Sequence, residues 1–137
     1  MAMAITAWLY ASRSLLPPET AGAEIDHLVA LSHERNARLD VTGALLYTGN
    51  RFAQYIEGPH ASVDALRASI RRDPRHDDLT TIEMGVSQRR LFASWSLAFG
   101  RRSQYFEGLI EQALTDFLGG CPDGHRPLMR LLKECTS

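Results

Sequence analysis

The stretch VTGALLYTGNRFAQYIEG, residues 41–58, decides the fold. Two strand-like runs flank Gly49-Asn50, a dipeptide suited to the positive backbone angles of a tight turn, so the segment reads as a β-hairpin. Side chains alternate between faces along a strand, which puts Gln54 on the same face as Phe52 and Ile56. An amide on a core face costs about 1–3 kcal/mol unless its donors and acceptor are paired. A sequence that keeps glutamine there must supply a partner, whether protein, water or ligand.

Upstream of the hairpin, AITAWLYAS (4–12) reads as a first strand, with Ile5, Ala7 and Leu9 on one face and Trp8 and Tyr10 on the other, before Pro17-Pro18 marks a loop. From about Gly22 to Leu39 the spacing is helical, and Ile25, Leu28, Val29, Ser32 and Asn36 share one stripe. Downstream, HASVDALRASIRRDP predicts a second helix, with Ser62 as its candidate cap, Val63, Leu66 and Ile70 on one side and Pro74 as its stop. LTTIEMGVS (79–87) and LFASWSLAFG (91–100) are two further β-rich runs. The order β-α-β-β-α-β-β specifies an α+β ferredoxin-like sandwich with a five-stranded mixed sheet. Both sheet faces are apolar, so the first two helices are expected on one face and the amphipathic segments 103–118 and 127–134 on the other.

The 137 residues fit one unit of ordinary composition, 45% hydrophobic and 23% charged. A formal charge of −1, from 15 Lys+Arg against 16 Asp+Glu, gives no global attraction to nucleic acid or an anionic membrane. No apolar run reaches the roughly 20 residues of a membrane span, and MAMAITAWLY lacks the charged start and cleavage site of a signal peptide, so a cytoplasmic location is expected. Cys121 and Cys135 are far apart and outside any CxxC spacing, which argues against a disulfide scaffold and a zinc site. The five histidines, His27, His33, His60, His76 and His125, show no HxxxH or HExxH pairing, so no metal is expected.

Four polar residues, Tyr10, Ser32, Asn36 and Gln54, occupy positions where the pattern expects core. Their convergence would make a polar island in an apolar cavity. The alternative is that each is satisfied separately, Asn36 at the helix end, Ser32 on its own backbone, and Tyr10 or Gln54 by water. RRDPRHDD (71–78) reads as a solvated helix exit with Asp73 and Arg75 in surface pairs.

Taken together, LYAS (9–12), the segment 31–58, IRRDPRH (70–76) and RRLFASWSL (89–97) resemble the BLUF family of blue-light sensors that use flavin. The series is a strand tyrosine, S-x-x-x-N on a helix, T-G-A-L-L, F-x-Q-x-x-E-G, a D-x-R-H helix exit and F-x-x-W, and it runs from about residue 5 to residue 100. The resemblance implies noncovalent FAD with its ring between the first two helices. Leu28 and Ile70 match positions on the ring faces, Asn36 and Gln54 match positions at its polar edges, and Tyr10 matches the partner of Gln54. Ser32 matches a position near that network, and Asp73, Arg75 and His76 a segment near the pyrimidine side or the ribityl-phosphate tail. It further implies photochemistry rather than turnover: Tyr10 gives an electron and a proton, Gln54 rotates or tautomerises, and a red-shifted state reverts in the dark. Signal is expected to leave through Trp95 and Leu97, where leucine stands in place of the methionine of many relatives.

The implied organisation is a flavin-binding domain over 1–100 and a C-terminal helical extension over 101–137, with output to a separate protein partner or a homo-oligomer. Two other readings fit the same element order. One is an acylphosphatase-like enzyme using Arg13 and Asn36, and the other is a cofactor-free interaction module.

Overall fold

The elements appear in the expected order in the computed structural model, which describes residues 4–121 and 123–136. The reading of a missing leader rests partly on residues 1–3, which lie outside the described residues. The chain forms β1 (Ile5–Ser14), α1 (Ala21–Arg38), β2 (Thr42–Tyr47), β3 (Arg51–Gly58), α2 (His60–Arg72), β4 (His76–Ser87), β5 (Trp95–Gly100), α3 (Gln104–Leu118) and α4 (Arg126–Thr136). The sheet runs β4-β1-β3-β2-β5. β2 and β5 are parallel and every other pair is antiparallel, so the sheet is mixed, with β5 added beside β2.

Alternation along the strands builds two cores. Trp8, Tyr10, Phe52 and Ile56 pack with Ile25 of α1 and with Val63, Leu66 and Ile70 of α2. Leu9, Ala11, Ala53 and Tyr55 pack on the other face with Ile110 and Ala113 of α3 and Leu128 and Leu132 of α4. Burial on both faces is what the two-sided apolar strands require. The hairpin closes with Thr48 donating its N–H to the Arg51 carbonyl, and Gly49 alone of the turn dipeptide takes a positive φ, 103°.

Several boundaries differ from expectation. β4 begins at His76 rather than 79, because β1 runs on to Ser14 and Arg13 pairs with Asp77 across the ladder. Charge is tolerated there because β4 is a sheet edge. β5 begins at Trp95 rather than 91, since the backbone amides of Leu91 and Phe92 are taken by the Glu57 carboxylate instead of a neighbouring strand. Ser62 is not a cap: α2 starts at His60, Pro59 holds the cap position, and no side chain caps it. α1 ends with Asp40 at φ 59° and Val41 N–H bonded to the Asn36 carbonyl, a turn that locks the backbone of Asn36.

Candidate functional site

Between α1 and α2, against the face of β1 and β3, lies a cleft with about 510 Å³ of space between atoms, part of it open to solvent. The period of α1 aims Leu28, Ser32 and Arg35 into it, and the end of α2 contributes Ile70. Alternation on the sheet brings Tyr10, Phe52 and Gln54 to its floor, with Leu45 beside Gln54 in the β2–β3 register. Ser69, Asp73, Arg75, His76 and Trp95 complete the lining.

At its centre Gln54, 6% exposed, answers the question its position raises. Its Nε2 donates to the Tyr10 hydroxyl at 2.7 Å, and its Oε1 accepts from Trp95 Nε1 at 2.9 Å. One amide thus joins β1 to β5 through β3. Burial pushes the Tyr10 phenol far above its usual range, against the smaller opposing effect of the Gln54 bond, so the phenolic proton stays on Tyr10 at physiological pH. Tyr10 also stacks on Trp8, with ring centroids 4.5 Å apart. The Trp8 indole N–H bonds to Thr81, and the guanidiniums of Arg67 and Arg71 lie over its ring.

His76 fixes the cleft's far corner. Its Nε2 lies 2.7 Å from the Ile70 carbonyl, which only accepts, so Nε2 carries a proton; Nδ1 lies 2.6 Å from the Ser12 hydroxyl. Asp73 and Arg75 form a forked pair at 2.6–3.1 Å, partly buried at the rim rather than solvated as the sequence suggested. Burial works to raise the Asp73 carboxyl, but the side-chain and backbone N–H bonds from Arg75 outweigh it and hold the carboxyl below its usual range. The folded-state value being the lower one, the pair's contribution is fully present above the ordinary carboxylate range and is lost as pH falls from there through the lowered folded-state value. Asp73→Asn is therefore expected to lower the thermal midpoint at pH 7 and to cost progressively less as the pH falls into the acid range, as a melting series would show.

Of the residues singled out in the sequence, Tyr10, Leu28, Ser32, Gln54, Ile70, Asp73, Arg75, His76 and Trp95 meet at the cleft. Asn36 is fully buried beside it but lines a neighbouring cavity with His33 and Trp95. Its Oδ1 accepts from Arg35 Nε at 3.3 Å, while its Nδ2 has no partner among the described residues. Leu97 packs partly buried against the same core without lining the cleft. Arg35 was not anticipated; its place seven residues after Leu28 on the same helical face was the available signal. Arg13 alternates to the sheet face opposite Tyr10 and is tied to Asp77 in the open, which separates it from Asn36 and removes the phosphate cradle an acylphosphatase-like site needs.

Apolar walls from two helices and an amide with a donor and an acceptor suit a flat heteroaromatic ligand with hydrogen-bonding edges, and the unpartnered amide N–H of Asn36 is buried beside them. Comparison with known proteins points the same way. A family model described as "Sensors of blue-light using FAD" matches residues 5–98. The photoactivated adenylate cyclase subunit beta of Euglena gracilis is 35% identical over 133 residues, 97% of this chain but 14% of that protein's length. The dark-state structure of BlrB, a BLUF protein, superposes with a TM-score of 0.74 at 29% identity, covering 98% of each chain. Klebsiella pneumoniae BlrP1 with FMN and cyclic diGMP superposes with a TM-score of 0.62 at 29% identity, over 84% of this chain and 30% of that one.

Proposed function

Because the chain belongs to the BLUF family of flavin-using blue-light sensors, we propose that the cleft between α1 and α2 holds FAD noncovalently and that the protein is a photoreceptor rather than an enzyme. The arrangement that carries this reading is the relay Tyr10–Gln54–Trp95, one switchable amide between a phenol and an indole. Leu28 and Ile70 would cover the ring's two faces, with Gln54 at one polar edge, and Asn36, buried beside the cleft, would offer its unpartnered Nδ2 to another. Ser32, Asp73, Arg75 and His76 would hold the rim.

A flavin bound there supplies a blue-light-absorbing oxidant. Tyr10 is the electron and proton donor, since it is buried, fully protonated and already bonded to the amide. The amide of Gln54 carries donor and acceptor on one plane, so rotation or tautomerisation exchanges what it presents to Tyr10 and to Trp95. After that exchange Trp95 N–H faces a donor and loses its acceptor, which frees the start of β5. Residues 1–100 act as the sensing unit and 101–137 as the extension that reports to a protein partner or a second copy, in a cytoplasmic setting.

The test is an absorption spectrum of purified protein before and just after blue light, alongside Tyr10→Phe. The wild type is expected to be yellow, to shift to the red and to recover in darkness. Tyr10→Phe is expected to be as yellow and to show no shift, because it lacks the phenolic proton. A colourless wild type overturns the reading; a normal shift in Tyr10→Phe overturns the role of Tyr10.

A further inference from the structure

Glu57 follows the β3 glutamine by three residues and so points to the opposite face of the sheet, away from the cleft. It is nevertheless fully buried. Its carboxylate accepts from the Thr42 hydroxyl at 2.8 Å, from Leu91 N–H at 2.8 and 3.0 Å, and from Phe92 N–H at 2.8 Å. A buried carboxylate is expensive unless its oxygens are filled, and here all but one of the bonds come from the short segment that leads into Trp95. Arg90, beside that segment, reinforces the corner by donating to Thr42 Oγ1 and to the Asp40 carbonyl, each at 2.9 Å. From the other side, Lys133 of α4 donates to the Leu91 carbonyl at 2.5 Å and places its ammonium 5.4 Å from the centre of the Phe92 ring.

We propose that Glu57 and Lys133 form a two-sided clamp on Leu91–Phe92: Glu57 is the positioning residue that keeps Trp95 against Gln54, and Lys133 is the contact through which α4 senses release of that segment. The second half of this inference rests on the photoreceptor reading; the first half does not. Trp95 begins β5 three residues after Phe92, so displacing the clamped pair displaces the indole that bonds Gln54. α4 packs against β5 and β2, and its only described hydrogen bond to the clamped dipeptide is that of Lys133.

Amide exchange followed by mass spectrometry, in the full chain with flavin bound, in darkness and under blue light, tests both halves. In darkness Glu57→Gln is expected to speed exchange at Leu91 and Phe92 by about tenfold, because an amide presents one acceptor where the carboxylate presents two. Unchanged exchange at those amides overturns the anchor, and this comparison holds even for a protein that shows no red shift. Should Glu57→Gln fail to fold, Thr42→Val removes one of the carboxylate's partners and is expected to speed the same amides. Under light the wild type is expected to lose protection at 89–94 and in α4. Lys133→Met, a change at an exposed side chain, is expected to keep the red shift and the response at 89–94 while losing the response of α4. If α4 in Lys133→Met still responds as in wild type, Lys133 is not the sensing contact.

Discussion

Gln54→Leu is expected to fold, to take up flavin and to show no light-induced red shift. Leucine is close to glutamine in size and suits a site that is 6% exposed between Phe52 and Ile56, so the sheet and the cleft walls stay in place. What goes is the amide that donates to Tyr10 at 2.7 Å and accepts from Trp95 at 2.9 Å. Without it Tyr10 and Trp95 lose the one group that bonds both and can exchange donor for acceptor between them, and the proposed photochemical change is not stored. The substitution also leaves a buried indole N–H without its acceptor, at a cost of about 1–3 kcal/mol, which a lower thermal midpoint would register. A light-minus-dark spectrum is the decisive measurement. A normal red shift in Gln54→Leu would sink the proposed mechanism, whereas a flat spectrum with wild-type flavin content would place the switch at this side chain.

The position of Gln54 was legible in the sequence because a period of two is hard to mistake over eight residues: Phe52, Gln54 and Ile56 had to share a face, and they do. The two-sided apolar strands likewise required helices on both faces, and α3 and α4 supply the second layer. Charge-dominated segments were less legible. Asp73–Asp78 looked like solvent-facing loop, yet His76 and Asp77 pair with Ser14 and Arg13 and begin a strand. His76 Nδ1 and the Asp77 carboxylate are held by Ser12 and Arg13, 64 residues earlier, which no local pattern reveals. The start of β5 was misplaced for the same kind of reason, since the amides of Leu91 and Phe92 are captured by a carboxylate 34 and 35 residues earlier. Helical spacing found Asn36 on the buried stripe but could not say that it would sit beside the cleft with Arg35 on the wall. A one-residue step on a helix turns a side chain through about 100°, and only the tertiary placement of α1 decides which of the two faces the opening.

Gly43→Ala is expected to be the most destabilising single methyl in the chain's described residues. Gly43 sits in β2 at φ 150°, where a Cβ would lie 1.9 Å from the Tyr55 carbonyl oxygen, 2.9 Å from its carbon and 3.1 Å from Ile56 Cα. Those are backbone atoms of β3, the strand between β1 and β2 in the sheet, and cannot swing aside as a flexible side chain would. Alanine must therefore either push β2 off β3 or abandon the native φ. Backbone strain of about 1–3 kcal/mol and overpacking of similar size put the cost at about 3 kcal/mol or more, a large part of the roughly 5–15 kcal/mol that holds a domain of this kind together. The loss would reach the cleft, because Gly43 pairs with Ile56 on one side and Trp95 on the other and so sets the register that brings Leu45 and Trp95 to Gln54. Gly108→Ala is the matched control: it lies within α3, nothing stands within 4 Å of its added methyl, and alanine there should gain about 0.5–1 kcal/mol from helix propensity. Thermal melts of the two variants should move in opposite directions, by roughly 10 °C downward for Gly43→Ala and a few degrees upward for Gly108→Ala. A Gly43→Ala midpoint within a degree or two of wild type would mean that β2 can retreat from β3, and that the close approach is not what fixes the register on which the Trp95–Gln54 bond depends.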